Sequence, residues 1–409
     1  MRLRKFEVRS YRSCAHTKIE LNKKLTALVG VNGSGKSNIL KSLMLLSQIG
    51  LIAKRGAYHR ENTRPNKCEI IAEFEYKKKI ITISGRIFFE TDDENDDHIV
   101  SAKINWDISK YIDHKELIPF PIELLAYGNR VLDRHGALFV RGPNYFWSPN
   151  KENIKIYTKA LPYVQQVINY IDSFSYYGAS QFSDPSKCPN FIEIEDDKLV
   201  RKYRSESGHY RFIIDLYQAY KHKDSAEYQR FESTVNKLGI GLIDKIDFEE
   251  VTIPSSSFKV SAGGNYRTIE RKRVLVIPIF TIDKNKLSPS QLSEGTFRTL
   301  ALLYYLLTDT SNLLIIEEPE VCVHHGLLNS IVSLIITQSA KKQIVISTHS
   351  DFVLDQVEPT DVLVVKRSAK KGTEVQKLNK ELSTNDFEAL KEYLEESGNL
   401  GEYWKEAGF

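Results

Sequence analysis

At 409 residues the chain is long enough for roughly two or three domains with an ample buried core. A formal net charge of +4 permits contact with nucleic acid without demanding it. No apolar run approaches the ~20 residues of a membrane helix, and the four scattered cysteines form no C-x-x-C pair, which argues against a disulfide framework or a zinc site.

Met1-Arg2-Leu3-Arg4-Lys5-Phe6 lacks the apolar core of a signal peptide, so a cytoplasmic protein with reduced thiols and no membrane contact is expected. A first strand is read at Phe6–Ser13. The apolar run Leu25–Val29 reads as a buried strand. It leads into Gly30-Val31-Asn32-Gly33-Ser34-Gly35-Lys36-Ser37, which fits G-x-x-x-x-G-K-[ST]. A helical pattern follows from Asn38. Strand, glycine-rich turn and helix start together aim backbone amides and a helix dipole at an anion. Glycines at 30, 33 and 35 let the backbone approach phosphates. Lys36 would reach the β- and γ-phosphates and the Ser37 hydroxyl would bind Mg²⁺. The plain alternative, a tight glycine turn, explains neither the lysine nor the flanking pattern.

Three strand-like runs come next, Cys68–Tyr76, Ile80–Glu90 and His98–Asp107, separated by Lys77-Lys78-Lys79 and the acidic turn 92–97. Short links of this kind read as an antiparallel meander. Tyr127–Trp147, which carries Arg130, Arg134, Arg141 and Asn144, reads as loop. Residues 151–240 carry helical spacing, broken at Ser173–Gly178. Strand character returns over Ile240–Ile282. Then Gln291-Leu292-Ser293-Glu294-Gly295 precedes a helical run, placing Ser293 and the Gly295 amide at a helix N-terminus, either as a simple N-cap or as a second anion site. The strand Leu313–Ile316 ends in Glu317-Glu318-Pro319-Glu320, carboxylates at an edge where α/β sheets bind ligands. Another buried strand, Gln343–Ile346, is tipped by Ser347-Thr348-His349. Two short strands and a Glu-rich helix complete the chain.

The order of these motifs resembles the ABC-type ATPase heads, and within them the RecF, SMC and OLD-like branch. Phe6–Ser13 is similar to the strand that opens those heads, and Asn38 after the loop serine is usual there. Glu317-Glu318-Pro319-Glu320 followed by His324 resembles bacterial ATPases related to OLD proteins, many of them from phage-defence or toxin–antitoxin gene pairs. Glu317 stands where many relatives have aspartate, and His325-Gly326 replaces a common His-Pro.

The resemblance implies an α/β fold: a P-loop NTPase head of ABC type with an antiparallel β-lobe and an inserted helical lobe. Residues 1–150 would supply the phosphate loop and β-lobe, 151–240 the helical lobe, 241–367 the rest of the head, and 368–409 a strand–helix tail. The broken helical stretch excludes a long coiled-coil arm. Residues 350–409 are too few for the Toprim nuclease domain of OLD proteins.

By the same resemblance ATP and Mg²⁺ are the cofactors, bound by Asn32, Gly33, Ser34, Gly35, Lys36, Ser37 and Asn38, with Arg12 or Tyr11 nearby. Ser293 and Gly295 would cap the γ-phosphate held by a second copy, making a homodimer with ATP between its heads. Glu318 would activate water, Glu317 would act on Mg²⁺ and His349 on the γ-phosphate. Gln181 fits the glutamine that joins metal and water, or is a plain surface residue. The adjacent pair His324-His325 diverges, which makes one ion hard to chelate and favours a helix-start contact. Two functions stay open. One is a switch controlling an effector protein from a neighbouring gene, in anti-phage defence or a toxin–antitoxin pair. The other is a RecF-like DNA-binding ATPase, for which Arg267, Arg271, Lys272 and Arg273 would touch phosphates unless they are a solvated face.

Overall fold

The structure, a computed structural model, describes residues 1–55, 66–77, 79–91, 97–107, 124–127, 130–132, 138–140, 146–147, 163–195, 198–199, 208–260, 266–321, 323, 325–396 and 398–406. These form two compact units. One holds Met1–Tyr176, Thr310–Glu318 and Ile335–Phe409, and the other Tyr177–Asp309 and Pro319–Leu334.

In the first unit, β1 (Arg2–Tyr11) and β2 (Cys14–Glu20) join β4 (Asn66–Tyr76), β5 (Lys79–Thr91) and β6 (Asp97–Asp107) in one antiparallel sheet. Residues alternate inward and outward along these strands. Cys68, Ile70, Ala72 and Phe74 of β4 are buried, as are Ile81, Ile83, Ile87 and Phe89 of β5. They share a core with Ile39, Leu40, Leu43 and Leu46 of α1 (Lys36–Arg55) and with Val164, Val167 and Ile171 of the helix α2, residues 163–172. The expected meander is present. It also runs further than the sequence suggested, through β7 (Leu124–Tyr127), β8 (Arg130–Leu132), β9 (Leu138–Val140) and β10 (Phe146–Trp147). Runs this short hold no readable period, so a stretch read as loop pairs through its backbone.

The second sheet of this unit is built around β3 (Leu25–Val29), with order β11-β17-β18-β3-β19-β20. Its members are β11 (Ser175–Gly178), β17 (Leu313–Glu317), β18 (Gln343–Thr348), β19 (Val362–Ser368) and β20 (Gly372–Lys377). β17, β18, β3 and β19 are parallel, and every residue of β3 and β18 is buried. Strands covered on both faces read as continuous apolar runs, which is why they were visible in the sequence. The C-terminal segment closes with α7 (Asp351–Leu354), α8 (Leu378–Glu381), α9 (Thr384–Glu395) and α10 (Leu400–Glu406).

The second unit carries β12 (Ile192–Glu195), β13 (Lys198–Leu199), α3 (Gly208–Lys221) and α4 (Ala226–Val235). Next come the long hairpin β14 (Lys245–Val260) and β15 (Tyr266–Ile282), then β16 (Asn285–Leu287) and α5 (Glu294–Thr308). The α6 helix (His325–Ser339) begins in this unit. The stretch expected to be one helical lobe, 151–240, is thus divided, with α2 in the first unit and α3 and α4 in the second. The Ser293 helix α5 lies with α3 and α4. Among the described residues no helix is long and apolar enough to cross a membrane.

His209 sits in the core of this second unit, 3% exposed, its ring parallel to that of Phe297 with centroids 5.5 Å apart. Its Nε2 lies 2.6 Å from the Ser183 carbonyl, which can only accept, so Nε2 carries the proton. Nδ1 is buried without a hydrogen-bond partner among the described residues. Burial lowers the His209 pKa, because a charged ring would have to leave water. The unfolded chain then binds a proton that the folded chain does not. Stability from this group is complete above the unfolded value near ~6.5 and is lost as pH falls through the lower folded value. His209→Phe keeps a ring in the stack and should flatten the fall in Tm below about pH 6.5, read from thermal melts across a pH series. An unchanged slope would rule the residue out as the source.

Candidate nucleotide-binding site

Pairing register decides where the motifs meet. Val29 lies opposite Thr348 on one side and Val364 on the other, while Glu317 lies opposite Ser347. The carboxyl ends of β3, β17 and β18 therefore share one sheet edge, the place where open α/β sheets bind ligands. The glycine loop leaves that edge from Val29, the two glutamates leave it from β17, and His349 from β18.

The loop turns directly into α1, which begins at Lys36. Its glycines serve different needs. A Cβ at Gly30 would come within 2.2 Å of the Val365 carbonyl oxygen. Gly33 and Gly35 take φ of +78° and +106°, open to glycine at little cost. Lys36 is buried and donates from Nζ to the carbonyls of Gly30 at 2.6 Å and Val31 at 3.2 Å. Ser34 is 1% exposed, and its hydroxyl has no hydrogen-bond partner among the described residues. Asn32, Gly33 and Ser37 are exposed, and the Asn38 side-chain Nδ2 donates to Ser13 Oγ at 2.7 Å, beside the loop. Glycine cradle, buried lysine and orphaned serine fit a polyphosphate. The oxygens of Ser37 and Glu317 suit Mg²⁺, a hard cation.

The two glutamates have different partners. Glu317 accepts a hydrogen bond from the Tyr176 hydroxyl. Glu318 adopts φ of +50°, the left-handed region that a non-glycine residue enters at a cost of about 1–3 kcal/mol. Its amide donates to the Ser347 carbonyl at 3.0 Å, and its Oε1 lies 3.7 Å from His349 Nδ1. His324 lies outside the described residues, and His325 opens α6.

Arg12, also at φ of +50°, has its guanidinium 3.1 Å from Asp97, which is nearly sealed from solvent. Tyr11 donates its hydroxyl to the same carboxylate. Burial, then the Asp97 bond and charge, push the Tyr11 phenol well above its ordinary pKa, so it remains a donor. Sequence reading put Asp97 in a solvated acidic turn; its opposing cation lies far away in the chain, which no local pattern reveals. Tyr176 was missed for the same reason.

In the second unit Ser293 caps α5, its Oγ accepting from the Thr296 amide at 3.1 Å. Leu292 is buried while Ser293 and Glu294 are exposed, so the polar end of the motif faces outward. Gln181 sits in the turn Ala179–Phe182 and accepts from the Gly178 amide at 3.4 Å. Phe182 from this turn packs on Phe297 of α5, and Tyr177 donates to the Arg298 carbonyl at 2.8 Å.

A family model described as "AAA domain, putative AbiEii toxin, Type IV TA system" matches residues 25–355. The chain belongs to that family. Its fold is mixed α/β, as expected. Similar solved structures include the SMC head domain from Thermotoga maritima, at 14% identity, 92% of this chain and 99% of that one, and a TM-score of 0.41. The SmcHead bound to the C-winged helix domain of ScpA is 12% identical over 93% of this chain and 100% of that one, with a TM-score of 0.48. The Smc head with an extended coiled coil bound to the C-terminal domain of ScpA derived from Pyrococcus furiosus is 13% identical over 96% and 99%, with a TM-score of 0.43. No curated protein matches the chain.

Gly35 tests the loop of this candidate site. An alanine Cβ there would stand 2.1 Å from Thr373 Oγ1 in a backbone region that L side chains avoid. Gly35→Ala should lower stability by about 1–3 kcal/mol in chemical denaturation. The folded fraction should also lose affinity for a fluorescent ATP analogue. Unchanged affinity would show that the loop conformation does not govern binding.

Proposed function

We propose that this head binds and hydrolyses ATP as the switch subunit of an anti-phage or toxin–antitoxin pair, in the cytoplasm, controlling an effector protein from a neighbouring gene. The observation that carries the ATPase reading is the meeting of phosphate loop, strained Glu318 and His349 on one sheet edge. The toxin–antitoxin description of the family supports the partner reading.

In this reading the loop amides of residues 33–38 and Lys36 hold the phosphates. Ser37 and Glu317 would hold Mg²⁺, which would supply positive charge to the phosphate oxygens. Glu318 orients the attacking water and takes its proton. His349, beside Glu318, donates to the γ-phosphate as charge develops there. Gln181 contacts metal or water, and Arg12 lies toward the nucleotide. Ser293 and the Gly295 amide cap the γ-phosphate of a second copy, so that ATP joins two heads; the exposed position of Ser293 supports this.

Lys36→Ala should lose ATP through gel filtration, because a phosphate charge partner is gone. Glu318→Gln keeps the shape but cannot take a proton, so it should retain ATP, sediment as a dimer and turn over slowly. Adding Ser293→Arg to Glu318→Gln should return it to monomer. Should Glu318→Gln lose ATP while Glu317→Gln retains it, the roles of the glutamates are reversed.

A second reading, a DNA-binding ATPase, is favoured by one feature of the β14–β15 hairpin. Lys259 lies opposite Arg267, and Arg271 falls at the same strand parity four residues on. Nearer the base of the hairpin the same parity holds the exposed Val251 and Arg273. Arg273 itself is paired with Glu193. Duplex DNA binding that weakens steeply with salt, and weakens less steeply in Arg267→Ala/Arg271→Ala, would favour this reading. No binding at low salt would remove it.

A further inference from the structure

A phosphate loop works through backbone amides, so its peptides must point correctly before a ligand arrives. Glycines at 33 and 35 leave this loop few side-chain constraints of its own. The structure supplies one from far along the chain. The tip of the β19–β20 hairpin turns at Gly372, where φ is +72° and a Cβ would come within 2.4 Å of the Ser13 carbonyl oxygen. This brings Thr373, 0% exposed, against the loop.

Thr373 is fastened on all sides. Its amide donates to the Ser13 carbonyl at 2.9 Å, and its carbonyl accepts from Thr17 Oγ1 at 2.6 Å. Its own Oγ1 donates to the Ser34 carbonyl at 3.1 Å. With that proton committed, the 2.8 Å contact between Thr373 Oγ1 and Ser13 Oγ must have Ser13 as donor. Ser13 Oγ in turn accepts from the Asn38 side-chain Nδ2 at 2.7 Å. The result is a directed relay from Asn38 through Ser13 and Thr373 to the Ser34 carbonyl, each bond polarising the next.

The end of the relay fixes a peptide plane. In a trans peptide the C=O and the following N–H point in opposite directions. Holding the Ser34 carbonyl toward Thr373 therefore turns the Gly35 N–H away from the hairpin. We propose that Thr373 is a positioning residue for nucleotide binding, whose hydroxyl sets the Ser34–Gly35 peptide so that the Gly35 amide faces phosphate. This rests on the reading of residues 30–37 as the ATP site. The matched family segment ends at residue 355, so both strands of the hairpin lie beyond it.

Thr373→Val keeps volume and branching but removes the hydroxyl, whereas Thr373→Ser keeps the hydroxyl. Thr373→Val should weaken ATP and ADP together by about tenfold, the loss of roughly one hydrogen bond's worth of orientation. It should raise KM while leaving kcat nearly unchanged, since the interaction is the same in ground and transition states. Thr373→Ser should restore affinity. A merely structural threonine would lower Tm in Thr373→Val without this split in the folded enzyme. If Thr373→Val does not fold, Thr373→Ala removes the same hydroxyl and should weaken both nucleotides in the same direction. Wild-type affinity in whichever of these two folds overturns the inference, provided Lys36→Ala loses nucleotide. If Lys36→Ala binds ATP like wild type, the ATP-site reading fails first and takes this inference with it.

Discussion

The register of three parallel strands is the constraint from which the candidate site follows. Side chains alternate across a sheet with a period of two, so a slip of one residue sends every side chain to the other face. Val29 lies opposite Thr348 and Glu317 opposite Ser347, and a slip that drew β17 back by one residue would pull Glu317 into a run buried on both faces. Glu317, though, is the first residue of its strand to meet solvent, and Glu318 cannot continue the pairing. It turns instead through a left-handed conformation, its amide still bonded to Ser347. The chemistry sits where burial ends. Strand length, set by hydrophobicity, thus determines where the carboxylates emerge.

The two sheets of the first unit are tied by a polar knot as well as by apolar packing. Gln343, 4% exposed, donates from Nε2 to the carbonyls of Leu3 and Asn22 at 2.8 and 2.7 Å. Its Oε1 accepts from the Leu3 amide at 3.1 Å and the Tyr170 hydroxyl at 2.9 Å. A buried amide with both ends satisfied gives modest net stability, but a mispaired one costs about 1–3 kcal/mol. The knot therefore acts mainly against wrong arrangements of β1, β18 and α2. It also fixes the start of β18, and with it the depth at which Ser347 and His349 arrive.

What could be read from sequence follows a physical line. The phosphate loop, the paired glutamates and the histidine were legible because their signals are local: glycines at a fixed spacing, and apolar runs that stop abruptly. The strands of the meander were legible through alternation. Tyr176, Asp97 and Thr373 were not, since each acts through a partner over 80 residues away, which a single sequence does not encode as a pattern. The strands between Leu124 and Trp147 escaped because they hold only 2–4 residues each, below one alternation cycle worth counting. The basic residues of the β14–β15 hairpin were visible as charges, yet only the register shows that Lys259 lies opposite Arg267.

The second unit has its own logic, set by aromatic packing. The turn that holds Gln181 contributes Phe182, which stacks on Tyr177 at 5.1 Å and meets Phe212 and Phe297 edge-on or tilted at 6.1 and 6.4 Å. Phe297 lies one helical turn after Ser293, on a helix whose residues from Phe297 to Tyr304 are all buried. Cores packed at crystalline density do not absorb a displacement locally; the neighbours move as a body or the contact is lost. Whatever displaces Gln181 must therefore carry Phe182, and through Phe297 the first turn of α5. The Tyr177 bond to the Arg298 carbonyl reinforces this from the other side of the same turn. Gln181 and Ser293 are separated widely in sequence, but the second unit treats them as two ends of one rigid cluster.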